Sequence, residues 1–265
     1  MEVRGFSEAS FTFENKTVPI YRRGEGPGVV VMHEIPGITP QVARFGRRVA
    51  DAGFTVVMPS LFGMPGKPLS VGYLLGSTAR VCVNREFSVL AARGSSPVTH
   101  FLRALCRQVH QDCGGVGVGA VGMCLTGNFA LSLMVDPSVM APVLSQPSLP
   151  FGLTRRQRAA IHVSDEELAV IKQRTAEGTP VLGLRFTHDV ACRAARFNTL
   201  REELGAGFEA IEIDSGPGNA HGIKRIAHSV LTNDLVDEVG HPTRAALDRV
   251  LGFFQQRLKP PTTLS

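Results

Sequence analysis

Six consecutive residues, Gly122-Met123-Cys124-Leu125-Thr126-Gly127, combine a thiol with the small neighbours that a sharp turn needs. A strand rich in small residues, Val116 to Met123, runs into Cys124, and a helix is expected from Asn128 to Met134. A nucleophile wedged between strand and helix sits on a strained turn, so the residues two positions away must be small. Gly122 meets that demand, whereas Thr126 is β-branched where glycine is usual and Gly127 follows one place late. The amino end of the helix directs N–H groups at the sulfur and favours thiolate. The competing reading is a buried structural cysteine, because Cys is among the most buried residue types. Cys82, Cys106, Cys113 and Cys192 have no comparable setting and read as core or surface thiols.

A thiol nucleophile needs a base, and the base needs a carboxylate to orient it. In α/β-hydrolase sheets the chain order is nucleophile, acid, histidine. Asp189 follows a strand ending at Phe186, and His228 lies in a loop after a strand ending near Ile213. His221 is the alternative base, since it follows the same strand. His188 reads as exposed and His241 as the opening of the last helix. The segment His33-Glu34-Ile35-Pro36-Gly37 stands directly after the first apolar strand. A carboxylate there is costly to bury unless it is hydrogen-bonded or belongs to the site, so Glu34 is expected near Cys124. An oxyanion hole in this architecture takes one N–H from the residue after the nucleophile and one from the early loop. Those are Leu125 and Ile35.

The elements that must position these residues alternate along the chain. Apolar runs at 28–32, 54–58, 116–123, 143–144, 180–186 and 208–213 read as strands. Helices are expected from Thr39-Pro40 to Ala50, Pro97 to His110, Ser164 to about Ala176, Val190 to Leu204 and Pro242 to Leu258. Ser164 with Glu167 has the form of a capping box. Gly63 to Ser96 reads as a loop-rich stretch, and Leu149 to Ala160 as a surface excursion. Buried strands alternating with helices imply a mostly parallel sheet with helices on both faces. No repeat or linker divides the chain, which reads as one domain over residues 1–265.

Composition excludes several classes. The chain has 265 residues, 43% of them apolar, and only five cysteines without a CxxC pair, which rules out a disulfide scaffold. No apolar run is long enough to span a membrane, and MEVRGFSEAS lacks the core of a signal peptide, so a cytoplasmic protein is expected. The charge of +5 comes with five Lys among 28 basic residues; the tightest cluster is Arg155, Arg156 and Arg158. With no Trp and two Tyr, a base-stacking platform is poorly supplied, and no nucleic-acid partner is expected.

The segments VVVMHEIPGI, GFTVVMPSLFG and GMCLTGNFAL resemble the dienelactone hydrolase family, over roughly residues 18 to 258. The resemblance implies a Cys124–His228–Asp189 triad, with Glu34 holding the resting thiol and moving when substrate binds. No cofactor and no metal are expected. Three departures stand out: His33 in place of Gln, Thr126 in place of Gly, and Ala227 in place of the Gly before the histidine. Arginines for a substrate carboxylate are assigned only by position, to Arg80 and Arg85.

The leading expectation is therefore a cysteine hydrolase of a lactone or activated carboxylic ester, acting on a small molecule. The alternative is a non-catalytic binding or regulatory protein of the same fold, motivated by Thr126 and the unplaced arginines. A metal enzyme using His221 and His228 is a third option, but their seven-residue spacing matches no ligand pattern. Oligomeric state is not readable from the chain.

Overall fold

The computed structural model describes residues 3–83, 96–148, 154 and 159–259. Eight strands form one sheet: β1 (Ser7–Phe13), β2 (Lys16–Arg23), β3 (Gly28–Met32), β4 (Thr55–Pro59), β5 (Val118–Met123), β6 (Val139–Ser145), β7 (Val181–Phe186) and β8 (Phe208–Ile213). Their order is β1-β2-β4-β3-β5-β6-β7-β8. The pairs β1–β2 and β2–β4 are antiparallel, and every other pair is parallel. The helices are α1 (Pro40–Asp51), α2 (Val71–Val83), α3 (Pro97–Cys113), α4 (Gly127–Leu133), α5 (Asp165–Ala176), α6 (Ala194–Leu204) and α7 (Pro242–Leu258).

Side chains alternate between the two faces of each strand, so one strand feeds two cores. Val29 and Val31 of β3 pack with α1 and α7 through Phe45, Val49, Val250 and Phe254. Val30 and Met32 pack on the other face with α3, α4 and α6 through Phe101, Leu105, Phe129 and Phe197. Local signals set the helix starts. Thr39 caps α1 by accepting from the Val42 N–H, with Pro40 at the first helical position. Ser164 and Glu167 form the expected capping box at α5.

Three features differ from the sequence reading. The β1–β2 hairpin was not expected; β1 is mostly exposed and β2 buries only Val18 and Tyr21, with no continuous apolar run to announce either. Within the stretch read as loop, α2 forms, and Leu74 and Leu75 among its described side chains are exposed. The helix expected from Val190 begins at Ala194 instead. Asp189 Oδ1 accepts from the N–H groups of Ala191 (2.8 Å) and Cys192 (3.1 Å), which bends the intervening residues into a turn.

The chain passes from β3 to β4 on one side and later places β5 on the other side of β3. Ligand crevices of open parallel sheets form at this switch, outside the carboxyl ends of the strands. Glu34, Cys124, Ser148, Asp189 and His228 follow β3, β5, β6, β7 and β8 respectively.

Candidate active site

Cys124 opens a single 3-10 turn, Cys124–Thr126, between β5 and α4. Its φ of +56° lies in the left-handed region, where a side chain is strained. The turn closes only because Gly122 is bare: a Cβ there would stand 2.1 Å from the Thr126 carbonyl oxygen. Thr126, a departure in the sequence, proves to be accommodated. Its hydroxyl accepts from the Met123 N–H at 2.9 Å, and its proton faces the carbonyls of Met32 (2.9 Å), Met123 (3.0 Å) and His33 (3.1 Å). It thereby ties the elbow to the end of β3.

His228 Nδ1 lies 2.6 Å from Asp189 Oδ2, and Asp189 is buried. Burial opposes charge on His228, but the Cys124 sulfur and the Asp189 carboxylate outweigh it and raise its pKa well above 6.5. Burial likewise opposes charge on Asp189, and the hydrogen bonds from His228 and from the Ala191 and Cys192 N–H groups pull its pKa below the usual carboxylate value. The His228 loop is itself held: Asp234 Oδ2 accepts from the N–H groups of His228 and Ser229, both at 2.9 Å. His221, the alternative base, is exposed and packs edge-on against His241, with centroids 5.3 Å apart. It also borders a cavity of about 430 Å³ whose lining includes none of Cys124, Asp189 and His228.

Glu34 is buried, but the thiol contact expected of it is not among the hydrogen bonds of the described residues. Its Oε2 accepts from Ser229 Oγ (2.7 Å) and Gln146 Nε2 (3.4 Å), and its Oε1 from Thr232 Oγ1 and Asn233 Nδ2 (3.3 Å). Burial raises its pKa, while the Thr232 and Ser229 hydroxyls and the His228 charge work against that rise. Four donors claim both oxygens, so the carboxylate ties the His228 loop to β3 and has no lone pair directed at the sulfur. The sulfur instead faces Ser148 Oγ at 3.2 Å.

Sequence reasoning missed Ser148, Asp234, Thr232 and the buried pair behind them. Arg196 Nη1 donates to Pro147 O (2.7 Å) and Asn128 Oδ1 (3.2 Å), and Asn128 Nδ2 donates to Ser148 O at 2.9 Å. Arg196 Nη2 meets His162 Nε2 at 3.2 Å, and burial, then the Arg196 charge, lowers the His162 pKa to about 4. None of these residues sits in a motif. His33, by contrast, is neutral: burial lowers its pKa to about 4, Nε2 accepts from the Leu61 N–H at 3.1 Å, and Nδ1 therefore carries the proton towards Glu34 O.

Neither the Ile35 nor the Leu125 N–H has a hydrogen-bond partner among the described residues. Arg80 falls near the end of α2, where the side chains are outside the description, and Arg85 lies outside the described residues. Among the described residues no group of three or more His, Cys, Asp or Glu could hold a metal ion, and no helix is long and apolar enough to cross a membrane.

Comparison with known proteins gives the arrangement a context. The model of the dienelactone hydrolase family matches residues 16–258. A candidate carboxymethylenebutenolidase of Saccharomyces cerevisiae is 28% identical over 200 residues, 73% of this chain and 69% of that protein. Among solved structures, a candidate dienelactone hydrolase from Klebsiella pneumoniae superposes with a TM-score of 0.63 at 17% identity, over 95% of this chain and 98% of that one. The promiscuous, dienelactone hydrolase-like phosphotriesterase P91 from metagenomic libraries gives 0.58 at 15% identity, over 96% and 98%. At these identities the superpositions speak for the fold.

Proposed function

Since the chain belongs to the dienelactone hydrolase family, and so to the hydrolases of carboxylic esters and lactones, we propose that it cleaves a lactone or activated ester through Cys124. The observation that carries this reading is the line Asp189–His228–Cys124, with the thiol on a positive-φ elbow and the carboxylate 2.6 Å from the imidazole.

The Cys124 sulfur attacks the acyl carbon, a C–S bond forms, and the carbonyl electron pair moves onto oxygen. The Ile35 and Leu125 N–H groups receive that oxyanion; removing one such donor typically costs roughly 10²–10³ in rate. Collapse of the intermediate expels the alcohol oxygen, which takes its proton from the His228 imidazolium. His228, oriented by Asp189, then draws a proton from water. The resulting hydroxide attacks the thioester, and the acid leaves as sulfur regains its electron pair. A thiolate suits good leaving groups such as phenolates or enolates, because these need little protonation.

The test is turnover of p-nitrophenyl acetate and of a dienelactone by the wild type and by Cys124→Ala. Loss of at least about 10³-fold is expected, and unchanged turnover by the variant would overturn the reading.

A further inference from the structure

We propose that Ser148 donates a hydrogen bond from its hydroxyl to the Cys124 thiolate and stabilises it for attack, a role resting on Cys124 as nucleophile. Ser148 is buried at the carboxyl end of β6, and its backbone is committed on both sides. Its N–H donates to Cys124 O at 3.0 Å, and its C=O accepts from Asn128 Nδ2 at 2.9 Å. Arg196 anchors the same segment through Pro147 O and Asn128 Oδ1. What remains is the hydroxyl, whose partner among the described residues is Cys124 Sγ at 3.2 Å.

The direction of the bond follows from the charge on sulfur. A thiolate has no proton to give, so the hydroxyl must donate, and hydrogen bonds to charged groups are the stronger kind. Glu34, already satisfied by four donors, has no proton to offer the sulfur in its charged form. The charged and titratable groups around the sulfur are His228 from the loop after β8, Cys192 and Asp189 from the loop after β7, and Arg196 from α6. Substitution at Ser148 alters none of these groups chemically, so a difference between variants is read as the effect of the hydroxyl.

The experiment measures the rate of Cys124 alkylation by iodoacetamide against pH in the full chain, with the site identified by peptide mass. Ser148→Ala is expected to move the midpoint up by about one pH unit, a roughly tenfold smaller thiolate fraction at fixed pH. Ser148→Thr, which keeps the hydroxyl, is expected to leave the midpoint within about 0.3 unit of the wild type, well inside that shift. An unchanged midpoint in folded Ser148→Ala overturns the proposal. Should that variant fail to fold, Ser148→Gly removes the same hydroxyl and is judged by the same criterion. Ester turnover of Cys124→Ala, measured alongside, separates the two claims. A shifted midpoint with Cys124-independent turnover removes the hydrolase mechanism and leaves Ser148 its hydrogen bond to the thiolate without a part in attack. Cys124-dependent turnover with an unshifted midpoint does the reverse.

Discussion

Glu34 is the residue whose type was informative and whose partner was not. Its position after β3 announced a buried carboxylate near the chemistry, and it is buried there. Which atoms it would meet depended on Ser229, Thr232 and Asn233, nearly two hundred positions away, and no local pattern carries that register. The same holds for Ser148 and Asp234, ordinary polar residues until β6 and the His228 loop bring them to the site. The approach of Asp189 to His228 was legible from their order at the strand ends, the same order that makes Cys124 the candidate nucleophile. Thr126 looked like a defect, since spacing cannot show that three carbonyls await its hydroxyl. Glu34→Ala would leave two hydroxyls and two amides short of an acceptor. A stability loss of about 3 kcal/mol is expected, read from the urea midpoint, together with lower turnover because the His228 loop loses its tie to β3. An unchanged midpoint would show that the four bonds contribute nothing net.

At the scale of elements, the buried parallel strands were read from their apolar runs, because such strands are apolar on both faces. The hairpin β1–β2 and helix α2 escaped for the converse reason, since β1 lies largely exposed, β2 buries two residues of eight, and Leu74 and Leu75 of α2 are exposed. The start of α6 was misplaced because Asp189 spends one oxygen on the turn at Ala191 and Cys192. That turn also aims the other oxygen at His228, so a single carboxylate shapes the loop and orients the imidazole. Asp189→Asn removes the charge and hydrogen-bond acceptor that help hold His228 protonated. The sign follows from the raised His228 pKa: the imidazolium survives to higher pH in the wild type, so the alkaline limb of kcat/KM is expected above 6.5. In the variant that limb should move to lower pH, with turnover reduced by roughly 10²–10⁴. A limb that stays in place would detach Asp189 from His228.

For the molecule as a whole, the sheet is what makes a site out of residues spread from 34 to 228. Five strands that run parallel, β3, β5, β6, β7 and β8, deliver one residue each at their carboxyl ends, around the switch between β3 and β5. The basic excess proves to have local uses: Arg22, Arg23, Arg103 and Arg107 face Asp112, Asp51, Glu167 and Asp136, while Arg196 is buried behind Ser148. The exposed pairs, Arg22–Asp112 and Arg23–Asp51, add little stability, whereas Arg103–Glu167 is largely buried. The proposed hydrolase rests on a covalent acyl-enzyme at Cys124. Rapid quenching of the wild type with p-nitrophenyl acetate, followed by mass analysis of its peptides, tests it most directly. One acetyl group is expected on the peptide carrying Cys124, formed in the burst and lost at the rate of turnover. Full turnover with Cys124 never acylated would contradict it.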